Sequence, residues 1–227
     1  MKNLEFIGVS QSLFPIPIKT YNFSNDSHEL NEMLMDDIER EYQEDPAGTE
    51  NSNFGGWHSK FSLETKYDSF EKLRGIVEDC GRQYCDQLGY ESNINCDLFW
   101  ANMNVAGDIN LPHHHQLSAL TGVYYPVGYV EGSERVYNYT DKPVGFYPHS
   151  NNGVDGGSLV LWDPSHGKRV QLSPITDQEH NSSSMHIYPT SGVLVLFPTF
   201  LIHSVLPFRE SNRKRFSISF GFSYGND

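Results

Sequence analysis

The chain is poor in cysteine, poor in basic residues and free of long apolar runs, and each shortage excludes a class of protein. Its 227 residues contain three cysteines, Cys80, Cys85 and Cys96. Three cannot all pair, and their spacing fits neither a C-x-x-C redox motif nor a zinc knuckle. A disulfide framework is thereby excluded and a reducing, intracellular setting is expected. Lysine and arginine together number 16 against 29 acidic residues, a formal net charge of −13. Affinity for a phosphate backbone comes from basic side chains that displace counterions. The dense basic cluster here is confined to Arg209, Arg213, Lys214 and Arg215, so nucleic acid is not an expected partner. No stretch approaches the ~18 consecutive apolar residues of a membrane span, and Glu5 interrupts the early apolar run that a signal core would need. The expectation is a soluble, cytoplasmic protein with no membrane partner.

What is present suits one domain, residues 1–227, with chain enough for a single large core. Val9 and Phe14-Pro-Ile-Pro-Ile18 read as a short edge strand, where proline is tolerated. Asp26 followed by Glu29 opens a segment in which Leu30, Met33, Leu34, Ile38 and Tyr42 recur at helical spacing. The stretch from Glu44 to Trp57, rich in Asp, Pro, Asn and Gly, reads as a loop. A second helix starts at Asp68 with Glu71, runs through Phe70, Leu73, Val77, Cys80 and Tyr84, and ends at Gly89. Residues 1–95 thus form a helical elaboration. From residue 96 the pattern changes to short runs of Val, Ile, Leu, Tyr and Phe punctuated by Gly, Asn, Pro and Asp. Strands are predicted over Leu98–Val105, Leu120–Tyr125, Ser158–Trp162, Gly192–Phe197 and Phe216–Phe222, with shorter ones near Val170–Leu172 and Ser184–Tyr188. The fold class is mainly β (α+β), a double-layered β core over 96–227 with the two N-terminal helices packed on one sheet. Residues 127–155 join two strong strands by an unusually long connection, which reads either as a lid or as a surface excursion with its own aromatic cluster.

Ten histidines are present, three of them consecutive at His113, His114 and His115. In extended chain alternate side chains share a face, so His113 and His115 project together and His114 away. Such a pair is a two-point clamp for an imidazole-favouring divalent metal and needs a further ligand from elsewhere. A polar loop with a chance histidine run is the alternative. Toward the C-terminus the apolar run Gly192-Val-Leu-Val-Leu-Phe turns at Pro198, a lone His203 follows, and Arg215 opens the next strand.

With those residues the chain resembles the Fe(II)/2-oxoglutarate-dependent oxygenase superfamily, and within it a group of 2-oxoglutarate–iron oxygenases common in marine bacteria and their phages. The resemblance is carried in order by Phe14-Pro-Ile-Pro, Gly55-Gly-Trp-His58, Trp100-Ala-Asn-Met-Asn104, Asn110 to His115, Thr121-Gly-Val-Tyr-Tyr125, Gly156-Gly-Ser-Leu-Val-Leu-Trp-Asp-Pro164, Phe197-Pro-Thr-Phe-Leu-Ile-His203 and Arg215-Phe-Ser-Ile-Ser219. It implies a double-stranded β-helix of the jelly-roll or cupin-like kind. It implies Fe(II) and 2-oxoglutarate as cofactors, and hydroxylation of an unactivated C–H bond of a small molecule or peptidyl side chain, with O2 consumed and succinate and CO2 released. His113 takes the place of the first metal ligand, His203 that of the distal ligand, and Arg215 that of the residue pairing the far carboxylate of 2-oxoglutarate. Tyr125 is placed like a tyrosine that hydrogen-bonds the same carboxylate. Asn104 and Asn110 precede the histidines and are candidates for the other end of the cosubstrate, with turn-forming or supporting roles as the alternative.

The departure from the superfamily is at the second ligand, where His115 stands in place of Asp or Glu. Three readings remain open: a site of His113, His115 and His203 that chelates the oxoacid; a carboxylate from elsewhere, Asp108 or Asp163; or a three-histidine dioxygenase of the cupin type that uses no oxoacid. A halogenase is not expected, because His115 occupies the position that a halide would need. Outside enzymes, a non-catalytic jelly-roll binding module is a further reading, with Glu29, Glu32, Asp36, Asp37, Glu39 and Glu41 of the first helix as its docking face or as an ordinary solvated one. Trp100, Trp162, Tyr188 and Phe220 read as core aromatics. His149, His166, His180 and His186 read as solvated, and His58 as packing or as part of a site mouth.

Overall fold

A computed structural model describes residues 15–23, 26–116, 118–137, 147–148, 156–165 and 182–225. Two helices, α1 (His28–Glu44) and α2 (Asp68–Leu88), precede the main β region. Both fall where the apolar periodicity predicts them. Gly89 ends α2 in the left-handed conformation, φ +70°, with its N–H donating back to the last turn, a position that favours glycine. The predicted Asp68 opens α2 from within the helix, since Tyr67 is the capping residue.

In chain order the strands are β1 (Lys19–Asn22), β2 (Asn53–Phe54), β3 (Trp57–His58), β4 (Ile94–Asn104), β5 (Ile109–His113), β6 (Leu120–Tyr125), β7 (Tyr129–Glu131) and β8 (Glu134–Val136). They continue as β9 (Tyr147–Pro148), β10 (Leu159–Trp162), β11 (Ser184–Ile187), β12 (Val193–Pro198), β13 (His203–Val205) and β14 (Arg213–Tyr224). All pairings are antiparallel. The larger sheet runs β1-β12-β6-β14-β4-β3, with the β7–β8 hairpin paired to β14, and the smaller runs β2-β5-β13-β10-β11-β9. The edge strand begins at Lys19 rather than at the prolines, because Pro15 and Pro17 have no N–H to give a ladder. The predicted strand near Val170–Leu172 lies outside the described residues.

The alternation along β14 organises the interior. Phe216, Ile218, Phe220 and Phe222 share a core with Met103, Ala101 and Phe99 of β4 and with the buried faces of α1 and α2. Arg215, Ser217 and Ser219 point the other way, opposite Asn104, Asn102 and Trp100 of β4. The same parity gives β6 and β12 an inner face of Val123, Tyr125, Val193, Val195 and Phe197, which forms a second core with Leu159, Leu161, Ile187 and Val205 of the smaller sheet. The fold is therefore mainly β, two antiparallel sheets with both helices on the outer face of the larger one, as the sequence predicts.

Two polar residues of α1 are buried with partners. Asn31 accepts a hydrogen bond from the Tyr124 hydroxyl at 2.6 Å and donates to Ser191 Oγ at 2.8 Å, and Glu41 accepts from the Tyr67 hydroxyl at 2.9 Å. The acidic face of the helix is largely engaged from within. Arg135 of β8 pairs with Glu32 at 2.6 Å, Asp36 at 2.7 Å and Glu39 at 3.4 Å. Those residues are spaced to line one helix face, and the hairpin that starts the 127–155 connection is pinned there. The rest of that connection, 138–146 and 149–155, lies outside the described residues. The three cysteines are buried and unpaired, and no described helix is long and apolar enough to cross a membrane.

Two aromatic expectations differ. Trp162 is 37% exposed, because its place on β10 turns it to the outer face of the smaller sheet, where its Nε1–H donates to Ser204 Oγ. His186 is buried, with Ser158 Oγ 3.1 Å from Nδ1 and Ser184 Oγ 3.2 Å from Nε2, so its polar sequence neighbours supply hydrogen bonds rather than solvent.

Phe220 is fully buried, its ring 5.5 Å from Phe99 and 5.9 Å from Phe222, and it lies over Gly122, where a Cβ would stand 2.6 Å from the ring. Replacing Phe220 by alanine is expected to cost about 3–5 kcal/mol, read as a fall in the urea midpoint with the denaturant slope unchanged.

Candidate functional site

The two sheets leave a cavity of about 350 Å³ between them. The inner residues of β4, β6 and β14 form one wall, and the histidines of the smaller sheet form the other. His113 and His203 are register partners across β5 and β13, and their ring centroids are 4.2 Å apart. His115 follows the end of β5, where its backbone N–H donates to Thr199 O at 3.1 Å, and its ring lies 5.0 Å from that of His203. Each of the three offers a nitrogen within 4.8 Å of the others. His114 is exposed at the rim, as the two-residue period requires.

The tautomers follow from the partners. His113 Nδ1 is 2.7 Å from Leu111 O and His203 Nδ1 is 2.9 Å from Leu201 O. A carbonyl only accepts, so both Nδ1 atoms carry the proton, and in the neutral ring each Nε2 keeps a lone pair free. Burial first, and the neighbouring imidazoles second, push His115 down to about 4 and His203 down to about 3, and burial also lowers His113. The cluster is held as neutral nitrogen donors, the form in which histidine binds metal. Neither Asp108 nor Asp163 reaches it. Asp108 accepts the Val105 N–H at 2.7 Å, Asp163 accepts from Ser165 N–H and Oγ at 2.9 and 2.8 Å, and neither is in the cavity wall.

At the other wall Arg215 is only 2% exposed and meets no described carboxylate. Its guanidinium donates to the Tyr125 hydroxyl at 3.3 Å, to Ser217 Oγ at 3.1 Å and to Asn104 Oδ1 at 3.4 Å, and its Nε–H has no partner among the described residues. Asn104 also donates to Asn110 Oδ1 at 3.3 Å. Of the predicted residues, then, His113, His115, His203, Arg215 and Asn110 line the cavity, whereas Tyr125 and Asn104 lie behind it and touch Arg215. An imidazole triad suits a borderline divalent metal, and a buried cation with a spare donor suits a carboxylate. The donor set present fits Fe(II) and an anionic cosubstrate together.

The larger sheet also brings His58, which the sequence reads as packing or as part of a site mouth, and Trp100, which it reads as a core aromatic. His58 pairs with Asn102 across β3 and β4 and so faces inward. Its Nδ1–H donates to Ser59 O at 2.6 Å, Asn51 Nδ2 is 3.3 Å from Nε2, and its ring stacks on Trp100 at 5.6 Å. Trp100 in turn lies 5.9 Å from the His115 ring. Strand alternation is the signal that finds Asn102, Ser217 and Ser219 once Arg215 is known to face inward. No sequence signal finds Asn51 or Phe61, which reach the cavity from loops.

Because the folded histidines have pKa values below the unfolded value of about 6.5, their contribution to stability is complete above that value and is lost as pH falls through the window toward about 4 and about 3. In the metal-free protein the ring nitrogens of His115 and His203 should show no protonation shift between pH 8 and pH 5 by two-dimensional NMR, and a shift completed within that range would overturn the reading.

The site can be compared with known proteins. No curated protein matches the chain. Among solved structures it is similar to a Pseudomonas putida prolyl-4-hydroxylase, with 14% identity and a TM-score of 0.57 over 93% of this chain and 94% of that one. It is similar to a Trichoplax adhaerens prolyl hydroxylase in complex with a hypoxia-inducible-factor peptide fragment, with 14% identity and a TM-score of 0.55 over 91% and 83% of the two chains. HygX from Streptomyces hygroscopicus, with nickel, 2-oxoglutarate and hygromycin B bound, shares 12% identity at a TM-score of 0.54 over 92% and 83%. At these identities the likeness is one of fold, the double-stranded β-helix. Residues 98–221, more than half of the chain and the part that carries the histidines and Arg215, match the family model described as "Putative 2OG-Fe(II) oxygenase", and the chain belongs to that family of 2-oxoglutarate- and Fe(II)-dependent oxygenases.

Proposed function

We propose that this oxygenase hydroxylates an unactivated C–H bond of a small molecule or peptidyl side chain, with His113, His115 and His203 as the metal ligands and Arg215 as the anchor of the cosubstrate. The observation that carries the reading is Arg215, a buried guanidinium with no acid beside it among the described residues, facing a cavity whose opposite wall is an imidazole triad. A buried cation is costly unless an anion meets it. The far carboxylate of 2-oxoglutarate is a planar, bidentate match for its fork.

When bound, Fe(II) supplies with O2 and 2-oxoglutarate the oxidising chemistry that converts R–H to R–OH and releases succinate and CO2. The remaining work belongs to the chain. Nε2 of His113 and of His203 are presented as donors by the carbonyls that hold their Nδ1 protons, so neither ring has to change tautomer to bind. Tyr125 and Asn104 act as positioning residues, their oxygens fixing the plane of the Arg215 guanidinium. Asn110, bonded to Asn104 and lining the cavity, is the candidate for a polar contact with the cosubstrate itself. Val123, Leu159, Phe197 and Val205 line the same cavity and exclude water from the reacting centre. A three-histidine dioxygenase that binds its substrate without an oxoacid leaves Arg215 without a role.

Anaerobic addition of Fe(II) and then 2-oxoglutarate should give the weak visible charge-transfer band of a chelated oxoacid, and admission of air should give succinate. His203→Ala is expected to lose iron and the band, and His114→Ala to keep both. Arg215→Met should keep iron but weaken 2-oxoglutarate at least ~100-fold, the loss of two hydrogen bonds to a charged group at ~1.5–3 kcal/mol each. Iron binding indifferent to 2-oxoglutarate would overturn the assignment.

Tyr125→Phe removes one of the guanidinium's partners and should weaken 2-oxoglutarate by ~10-fold with iron affinity unchanged, measured by titration of the same band.

A further inference from the structure

The charge of the cavity carries an inference about what enters it. Although the chain has 29 acidic residues, none of the described residues that line the cavity is Asp or Glu. Its polar lining is neutral, with Asn51, Asn102, Gln116 and Ser118 among it, or cationic at Arg215. The inference rests on the three-histidine reading above. A metal-bound imidazole is uncharged, so a divalent iron contributes two positive charges, Arg215 one, and 2-oxoglutarate two negative ones. Counted over the described residues, the loaded cavity is left with one net positive charge. A carboxylate in the place of His115 would have brought the sum to zero.

We propose that the substrate is an organic anion, a carboxylic or similar acid with a flat apolar body, and that His115 in place of a carboxylate is what selects its charge. A net charge held against protein walls is less fully screened than one in water, so a bound counter-charge is favoured there. The neutral amides and hydroxyls of the wall include N–H and O–H donors able to meet the acid group. The body is suggested by the ring surfaces beside the histidines. Phe61 lies edge-on to Trp100 at 5.4 Å and is half-exposed, and His58 stacks on Trp100. Aromatic walls also accommodate cations. Cation recognition is opposed here by the net positive charge and by the lack of any described carboxylate to share the ligand.

Benzoate, benzamide and benzamidine have one shape and charges of −1, 0 and +1, and they test the proposal with the full-length protein. Each is titrated anaerobically into the protein saturated with Fe(II) and 2-oxoglutarate, following tryptophan fluorescence and the charge-transfer band. Binding is expected in the order benzoate, benzamide, benzamidine, with at least tenfold between the ends and the spread narrowing as salt is raised. The band should shift without bleaching, which separates substrate-side binding from displacement of 2-oxoglutarate. His115→Asp, provided it retains iron, should shrink the benzoate preference at least tenfold; where it loses iron, the wild-type order and its salt dependence decide. A flat or reversed order, benzoate that binds only by bleaching the band, or no benzoate binding overturns the inference while leaving the oxygenase reading intact. Failure of the band to form in the first place overturns the oxygenase reading instead.

Discussion

A guanidinium buried without an acid partner among the described residues is the constraint around which this interior is built. Removing a cation from water costs several kcal/mol even after relaxation, and Arg215 recovers part of that from the Tyr125 hydroxyl, Ser217 Oγ and Asn104 Oδ1. Those partners sit on three strands of the larger sheet, so the parity of all three is tied to one side chain. With Arg215 inward, Ser217 and Ser219 must also face inward, and Phe216, Ile218 and Phe220 must face the helices. A one-residue slip of β14 would bury the serines under α1 and α2 and turn the phenylalanines into the cavity. The packing of the helices and the polarity of the site thus come from one register.

The smaller sheet solves a different problem, that of holding imidazoles a few ångströms apart in a neutral form. Pairing His113 directly opposite His203 fixes their spacing through the ladder, and the carbonyls of Leu111 and Leu201, each two residues before its histidine, fix the tautomers. His115 lies beyond the strand and is held instead by its backbone bond to Thr199. Two of the three histidines are therefore rigid by secondary structure, and the third depends on a turn. That is the position at which this chain differs from the carboxylate usual in the superfamily it resembles.

Much of this was legible in the sequence, for reasons that can be named. The helices showed through apolar spacing, and β6 and β12 showed through continuous apolar runs, since strands buried on both faces leave no polar gap. The triad showed because histidine is rare enough that an H-x-H pair and a lone His after an apolar strand stand out. What stayed open or hidden depends on pairing between distant strands. His58 faces inward because of its register with Asn102, and Trp162 faces outward because of its place on β10, neither of which is written in local composition. The acidic residues of α1 looked free because their partner, Arg135, lies on a hairpin about a hundred residues away. Once that pairing is known, Glu32, Asp36 and Glu39 are occupied, and the case for the helix as a docking face loses most of its charge.

The separation of charge across the larger sheet bears on how a strongly acidic protein can host an anion. The acid of α1 lies against the outer face of that sheet, whereas Arg215 and the histidines lie on its inner side. The two groups are divided by at least a sheet thickness, and packed layers stand about 10 Å apart. At physiological ionic strength the Debye length is about 8 Å, so exposed carboxylates on the helix act weakly on a ligand inside the cavity. Their nearest compensation is local, through Arg135 and Lys66. The field inside is set by the groups that line it, and among the described residues those are neutral or positive. The net charge of −13 is therefore a poor guide to the site, whose sign is set by Arg215 because strand alternation directs no described acid into it.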